Sequence, residues 1–359
     1  MAYYILIIFI PALIVVILSK MLFHHKITLK EMLIHAGGAV LGTLLCFSIL
    51  AASGILATHD TEIRNGYVVS KSSERVSCSH QYKCGETCTV DSKGNRSCVP
   101  IYCDEHAYDI DWDVKTTVGT FTIDRVDRRG LREPARFSAV KLGEPASDTF
   151  STRNYLLTDI SRFKTDSAIM ERYKGRLPEY PKIFDYYRVN RVVNMTDQSF
   201  NYLNVYLNDE LRKFGASKQL NIIVVITYED NNFYYAVNEA WTGGKKNDVI
   251  LYYGIDRDRN IKWFKANSFA DGQDNQALLQ KISYEAIDGK LGLDLVKTQF
   301  NIITKEFTRL PNETFSYMDT LASPSILAIV ISTLFNILMS VGLAYYLIRE
   351  DLGEFNGFK

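Results

Sequence analysis

The hydrophobic residues of this chain are concentrated in three long apolar runs. They occupy residues 2–19, 34–56 and 325–348, and none of the three contains Asp, Glu, Lys or Arg. A helix needs about 20 apolar residues to cross the hydrocarbon core of a bilayer. The pattern therefore predicts three transmembrane helices surrounded by lipid. No basic residue precedes the first run and no small-x-small site follows it, so we expect a retained helix and not a cleaved signal peptide.

The loop between the first two runs indicates the orientation. Residues 20–33 contain three lysines and a single acid, Glu31, and short cytoplasmic loops are enriched in Lys and Arg. We therefore place this loop in the cytoplasm and the N-terminus outside it. The long segment from Ala57 to about Ser323 is then extracytoplasmic, and the C-terminal tail is cytoplasmic.

Within the outer segment, the pattern after residue 108 is typical of strands. Ile110, Trp112 and Val114 alternate with polar residues, which predicts a β-hairpin that turns near Gly119. Two prolines and a glycine between residues 134 and 145 indicate irregular chain after the hairpin.

From residue 198 the pattern predicts an ordered succession of helices and strands. Leu203, Leu207 and Leu211 repeat at helical spacing, and Gly215 suits the end of that helix. Residues 220–228 form a largely β-branched run, which is typical of a central strand buried on both faces. The full order is helix, strand, helix, strand, strand, helix, helix, which predicts a layered α/β/α sandwich.

These patterns predict a membrane-anchored α/β protein with five regions. They are residues 1–56, two transmembrane helices with a basic cytoplasmic loop; 57–108, a Cys/His-rich extracytoplasmic segment; 109–197, a β-rich region with irregular connections; 198–320, the α/β domain; and 321–359, the third transmembrane helix with a short cytoplasmic tail.

The charge balance bears on the choice of partner. The chain has 41 Lys and Arg residues against 41 Asp and Glu residues, for a formal net charge of zero. Proteins that bind nucleic acid carry a basic excess on the binding domain. We therefore expect no nucleic-acid partner.

Five of the six cysteines are close together in the outer segment, at Cys78, Cys84, Cys88, Cys98 and Cys103. Outside the cytoplasm thiols are oxidised to disulfides that stabilise loop-rich segments. Five cysteines allow two disulfides and one spare thiol, and their connectivity does not follow from the sequence. The compartment therefore favours disulfides.

Zinc is the alternative for the same segment. His80 follows Cys78 by two residues and His106 follows Cys103 by three, which gives two short chelating arms of the kind that zinc uses. The candidate ligands are Cys78, His80, Cys84, Cys88, Cys98, Cys103 and His106. Zinc is the one cofactor that the sequence suggests.

Other polar residues do not form a catalytic set. Asp109, Asp111 and Asp113 lie on one face of the predicted strand, where they could hold a hard cation or simply face solvent opposite Ile110 and Trp112. The two-residue period favours the solvent-facing interpretation. No Ser, His and Asp arrangement stands out, so the sequence names no catalytic residue and gives no support for an enzyme.

Small and polar residues recur in the apolar runs. Gly38 and Gly42 form a G-x-x-x-G pair, and Ser332, Asn336 and Ser340 repeat every four residues. Residues of this kind allow close backbone approach and hydrogen bonding between membrane helices. We expect these helices to associate, within one chain or between the protomers of a homo-oligomer.

The stretch "NIIVVITYEDNNFYYAVNEAWTGGKKNDVILYYGIDRDRNIKW" resembles a TPM domain, a family named for thylakoid, phosphatase and membrane contexts. The resemblance lies in the hydrophobic strand, the helix ending in Trp241, the turn "TGGKKND" and the two following strands, and covers about residues 198–287. It implies a TPM-like α/β sandwich and, for some members, phosphatase activity.

The segments "CSHQYKC", "YCDEHAYDIDW" and "VDRRGLREPARF" resemble stretches of uncharacterised membrane proteins encoded by tailed bacteriophages. That pattern has closely spaced cysteine pairs after Cys84 and before Cys103, where this chain has Cys88 and Cys98. The resemblance implies a bacterial inner membrane as the location and phage or envelope proteins as partners.

Together these features favour an integral membrane protein that presents a TPM-like binding or assembly module outside the cytoplasm. The alternative is a metal-dependent, phosphatase-like extracytoplasmic hydrolase. A transporter or channel component is a third hypothesis, but the membrane helices carry no Asp, Glu, Lys or Arg that would mark a pathway.

Overall fold

A computed structural model describes residues 2–90, 92–158, 163–269, 273–311, 324 and 326–350 of the chain. The fold is mixed α/β and divides into two compact units. The first unit comprises Met1–Asp60, Thr152–Arg162 and Pro311–Lys359, and the second comprises Thr61–Ser151 and Phe163–Leu310.

The described residues form helices and strands with the following bounds. The helices are α1 (Ala2–Leu22), α2 (Leu29–Ala57), α3 (Ala135–Ser138), α4 (Ser167–Tyr173), α5 (Asn201–Leu211), α6 (Gly215–Lys218), α7 (Asn232–Ala240), α8 (Gln273–Glu285), α9 (Leu293–Glu306) and α10 (Ile326–Glu350). The strands are β1 (His59–Val76), β2 (Gln81–Val90), β3 (Arg96–Asp104), β4 (Asp109–Thr116), β5 (Thr120–Ile123), β6 (Pro145–Arg153), β7 (Ile183–Phe184), β8 (Arg188–Val189), β9 (Val192–Asn194), β10 (Asn221–Thr227), β11 (Asp248–Ile255) and β12 (Ile261–Ser268).

The first unit contains the three long apolar helices predicted from the sequence. Helices α1, α2 and α10 are long and apolar enough to cross a membrane, and each packs against the other two. Helix α2 begins at Leu29, earlier than the apolar run, because Thr28 and Glu31 form a capping box. The Thr28 amide donates to Glu31 Oε2 at 2.7 Å, and the Glu31 amide donates to Thr28 Oγ1 at 3.3 Å.

Polar side chains join the three apolar helices. Asn336 of α10 is buried, and its Nδ2 donates to Thr43 Oγ1 of α2 at 2.9 Å and to the Ile8 carbonyl of α1 at 3.2 Å. His35 of α2 lies with Nε2 2.8 Å from Ser340 Oγ of α10. Hydrogen bonds of this kind hold membrane helices together where apolar contacts alone give little preference.

The residues predicted to mediate helix contact occupy this interface in different ways. A Cβ on Gly42 would lie 2.9 Å from Met339 Cε and against the Asn336 amide, and a Cβ on Gly38 would lie 2.5 Å from Leu343 Cδ2. Ser332 contributes its carbonyl, which accepts from the Cys46 thiol at 3.5 Å. The structure thus places these contacts within one chain.

In the second unit, strands from the N-terminal part form an antiparallel sheet of order β5-β4-β1-β6. Strand β4 pairs with β1 from Asp109 opposite Val76 to Thr116 opposite Val68, so the Cys/His-rich segment leaves and re-enters the same sheet. The predicted hairpin turn is present, since the Thr116 amide donates to the Gly119 carbonyl at 2.8 Å.

The remainder of the second unit is a sheet of order β12-β11-β10-β9 with helices on both faces. Strand β10 is parallel to β9 and β11, and β12 is antiparallel to β11. All seven residues of β10 are buried, as the apolar run predicts. Ile222, Val224 and Ile226 pack with residues of α5, α8 and α9, whereas Ile223 and Val225 pack with residues of α4 and α7.

Gly215 does not end the predicted helix. Helix α5 ends at Leu211, and Gly215 opens the short helix α6. A Cβ at Gly215 would overlap the backbone carbonyl of Asn65 in β1. Glycine is therefore required at this position for a close approach of two backbones.

Arg191, between β8 and β9, is the largest fully buried side chain of the described residues and is 1% exposed. Its guanidinium donates to Asn65 Oδ1 of β1, Asn221 Oδ1 of β10, Ser147 Oγ of β6 at 2.9 Å and Asn208 Oδ1 of α5 at 3.0 Å. These acceptors come from both sheets and one helix. Burial lowers the pKa of Arg191 to about 10, so the side chain is a cation at neutral pH.

Asp248 of β11 continues this network. Asn221 Nδ2 donates to Asp248 Oδ1 at 2.7 Å, and the Lys245 amide and the Tyr180 hydroxyl donate to Oδ2 at 2.7 and 2.8 Å. Complete burial of the carboxyl raises the pKa of Asp248 to about 6, although these hydrogen bonds oppose the shift.

Replacement of Gly42 by leucine should separate α2 from α10, because the new side chain would overlap Met339 and Asn336. We expect a loss of about 1–3 kcal/mol in the stability of the helical unit. The thermal midpoint of the detergent-solubilised chain measures it. Gly37→Leu is the matched control, since no atom lies within 4 Å of a Cβ there. Equal midpoints for the two variants would show that this contact does not hold the helices.

The buried carboxyl of Asp248 should make the second unit less stable as the pH rises. An unfolded aspartate ionises near pH 4, but the folded carboxyl keeps its proton to about pH 6. Its contribution to stability is complete below pH 4 and is lost as the pH rises through 6.

The Asp248→Asn variant isolates this effect. The difference in unfolding free energy between the variant and the wild type should shift by about 3 kcal/mol between pH 4 and 7, in favour of the variant. Denaturant titrations followed by tryptophan fluorescence measure it. The same substitution at Asp209, whose side chain is 47% exposed, serves as the matched control. A difference that is constant with pH would contradict the assignment.

Candidate metal centre

Four of the five clustered cysteines form two disulfides across the β2–β3 hairpin. Cys84 is bonded to Cys103 and Cys88 to Cys98, with Cα–Cα distances of 5.7 and 4.0 Å. The antiparallel register sets Cys88 directly opposite Cys98, which brings the two sulfurs into bonding range.

These pairings agree with the sequence interpretation of two disulfides and one spare thiol, and they correct the zinc set. The spare thiol is that of Cys78, which is buried. The proposed zinc set included Cys84, Cys88, Cys98 and Cys103, but sulfurs that are bonded to each other cannot act as thiolate ligands. Of that set, Cys78, His80 and His106 remain as donors.

These three residues converge with Asp109. One ligand atom from each of Cys78, His80, His106 and Asp109 lies within 4.8 Å of the others. Cys78 and His80 precede β2, His106 follows β3, and Asp109 opens β4. The β2–β3 hairpin brings the segment after β3 back to the segment before β2. The Glu105 amide donates to the His80 carbonyl at 3.0 Å, so the residues at the two ends of the hairpin are close together.

Asp109 is the most enclosed member of the group, with a side chain that is 0% exposed. The Ser79 amide and hydroxyl donate to Oδ2 at 2.9 and 3.0 Å, Arg125 Nη1 donates to Oδ2 at 2.7 Å, and His106 Nε2 contacts Oδ1. Burial by itself would raise the pKa of this carboxyl. The hydrogen bonds from Ser79, His106 and Arg125 outweigh it and hold the pKa well below its usual range.

The buried position of Asp109 also corrects the prediction of a solvent-facing acidic strand. Only Asp111 and Asp113 remain partly exposed. Asp111 Oδ1 accepts from Arg125 Nε at 2.9 Å and Nη2 at 2.7 Å, and Asp113 Oδ1 accepts from Thr122 at 2.6 Å. Asp109 and Asp111 share Arg125, whereas Asp113 bonds to Thr122, so the three carboxylates do not converge on one hard-cation site.

Arg125 links the first two of these aspartates. It bonds to Asp109 with Nη1 and to Asp111 with Nη2, each at 2.7 Å. Burial lowers the pKa of Arg125, but hydrogen bonds and charge interactions with Asp111 and Asp109 raise it overall. The guanidinium is a permanent cation, and its hydrogen bond to Oδ2 orients the Asp109 carboxylate.

Asp109 was not among the zinc candidates predicted from the sequence. The available signal was the spacing His106-x-x-Asp109, a second short chelating arm beside Cys78-x-His80. It was missed because Cys103, which is disulfide-bonded, filled the same role in the C-x-x-H arm. His35, buried among the apolar helices, was also missed, because a neutral histidine does not interrupt an apolar run.

Comparison with known proteins finds no matching family model, curated protein or solved structure.

Proposed function

We propose that this chain is an integral membrane protein of bacterial or phage origin that presents a binding or assembly module outside the cytoplasm. The observation that carries the proposal is the division of the chain. One unit holds three mutually packed apolar helices, and the other is a polar α/β fold that bears two disulfides.

The disulfides support the extracytoplasmic placement. Cys84–Cys103 and Cys88–Cys98 stabilise an exposed hairpin, and such bonds persist in oxidising compartments. The lysines of residues 20–33 favour a cytoplasmic position for the loop between α1 and α2. These two independent features support the same orientation, with the hairpin outside the cytoplasm and the loop between α1 and α2 inside it.

The hairpin surface supports a role in binding. Tyr82 of β2 lies opposite Cys103, so it shares one face of the hairpin with Ile101 and Val99 of β3. These three side chains are 52%, 45% and 64% exposed. Exposed apolar side chains grouped on one element mark a protein interaction surface. Envelope or phage proteins are the partners that the resemblance to phage membrane proteins suggests.

The TPM resemblance raises the alternative of a metal-dependent, phosphatase-like hydrolase. The arrangement of the described residues supports binding over this chemistry. His80 and His106 belong to a group in which four protein donors already suffice for a tetrahedral ion, whereas catalytic zinc sites keep a position open for water.

Accessibility labelling of the full chain in intact cells tests the orientation. After mild reduction, an impermeant maleimide should label the hairpin cysteines from outside. A cysteine introduced at His24, in the loop between α1 and α2, should react only after the inner membrane is permeabilised. The reverse pattern would contradict the proposal.

Site-specific photocrosslinking tests the binding role. A crosslinker at Val99 should give a discrete protein adduct in the host envelope, and the same crosslinker at Lys93, in the hairpin turn, serves as the control. Metal-dependent phosphoester hydrolysis by the purified chain, without an adduct at Val99, would instead support the hydrolase.

A further inference from the structure

We propose that Cys78, His80, His106 and Asp109 bind one zinc ion that closes the base of the β2–β3 hairpin. This site goes beyond the proposed function. Its geometry is independent of that function, and only the argument from the unpaired thiol rests on the proposed extracytoplasmic placement. The zinc ion would have a structural role, because its ligands come from segments on either side of the hairpin. It would not bring a substrate to a catalytic group.

The donor set matches the preferences of zinc. A thiolate, two imidazoles and a carboxylate are all zinc ligands in proteins, and a thiolate excludes the hard cations calcium and magnesium. Bonds of about 2.0–2.3 Å place the ligand atoms of a tetrahedral site roughly 3.4–3.8 Å apart. The four atoms already lie within 4.8 Å of one another, so movements of about 1 Å complete the site.

The charges in the group also fit a divalent cation. The Cys78 thiolate and the Asp109 carboxylate together carry the two negative charges that neutralise Zn²⁺. Arg125 donates one hydrogen bond to Asp109 and two to Asp111, and the Asp111 carboxylate balances its charge. The occupied site, together with this ion pair, is therefore neutral, as a buried site requires.

Zinc explains why one cysteine of the cluster is unpaired. In an oxidising compartment a free thiol is exposed to oxidation or mispairing. Cys78 is buried and has its sulfur 3.1 Å from the His80 carbonyl, which leaves the thiol beside both imidazoles. Coordination would hold it as a metal-bound thiolate while the other four cysteines form disulfides.

The site would fix both ends of the hairpin. His80 directly precedes β2. Only Glu105 lies between the end of β3 and His106. Asp109 begins β4, which belongs to the antiparallel β5-β4-β1-β6 sheet. One ion would therefore attach the disulfide-bonded hairpin to that sheet, much as a further cross-link would.

Elemental analysis of the full chain, purified in detergent without chelator, tests this site. We expect one zinc per chain, removal of that zinc by a chelator and its recovery on addition of zinc salt. Replacement by cobalt should give a thiolate-to-metal charge-transfer band. That band requires Cys78, because all other cysteines of the cluster are in disulfides.

Matched variants locate the ligands. Cys78→Ser, His106→Ala and Asp109→Asn should lose the zinc. Asp113→Asn, which changes an aspartate of the same strand, should retain it, as should the double variant Cys88→Ser/Cys98→Ser.

Two results would overturn the proposal. One is a folded wild-type chain, with both disulfides intact, that contains no zinc and binds none when zinc salt is added. The other is full zinc content in Cys78→Ser or Asp109→Asn. If those variants do not fold, as judged by tryptophan fluorescence, the cobalt spectrum of the wild-type chain decides: a charge-transfer band supports the site, and cobalt binding without the band, or no binding, overturns it.

Discussion

A single buried guanidinium holds the second unit together. Arg191 donates to acceptors on β1, β6, β10 and α5, so the antiparallel sheet and the β12-β11-β10-β9 sheet share one side chain. Asn65 has a further part in this junction, since its Nδ2 donates to the Leu220 carbonyl at 2.8 Å. The two sheets are therefore joined through hydrogen bonds as well as through apolar packing.

Burial of the Arg191 guanidinium costs hydration free energy, and loss of its hydrogen bonds would also cost free energy. All four acceptors of the guanidinium are neutral, and the nearest carboxylate in the network, that of Asp248, is reached through Asn221. A buried charge needs every hydrogen bond satisfied, because an unpaired buried group loses its full hydration energy. Removal of the cation would take away the donor to the amide oxygens of Asn208 and Asn221, whereas Asn65 Oδ1 would still accept from Ser147 Oγ. The network thus specifies one arrangement of the two sheets and strongly disfavours others.

The parts of the fold that local patterns determine could be predicted from the sequence. The three apolar helices, the strand at residues 221–227 and the hairpin at Gly119 all follow from periodicity within a short window. The function of Gly215 could not be predicted, because it depends on Asn65, which is 150 residues earlier in the chain. The contact between Arg191 and Asn65 spans 126 residues for the same reason.

The candidate metal centre was predictable in part. The sequence identified Cys78, His80 and His106, but the choice between zinc and disulfides depended on which cysteines the hairpin register sets opposite each other. That register leaves Cys78 free and gives the fourth position to Asp109. Disulfides and a metal site are therefore compatible in this segment, because they use different residues.

We expect Arg191 to make the two sheets of the second unit one cooperative structure. Trp112 lies in β4 and Trp263 in β12, so fluorescence of single-tryptophan variants follows each sheet separately during denaturant unfolding. We expect the two residues to report the same midpoint in the otherwise unchanged chain, and different midpoints once Arg191→Met is introduced. Distinct midpoints for Trp112 and Trp263 with Arg191 in place would contradict the claim.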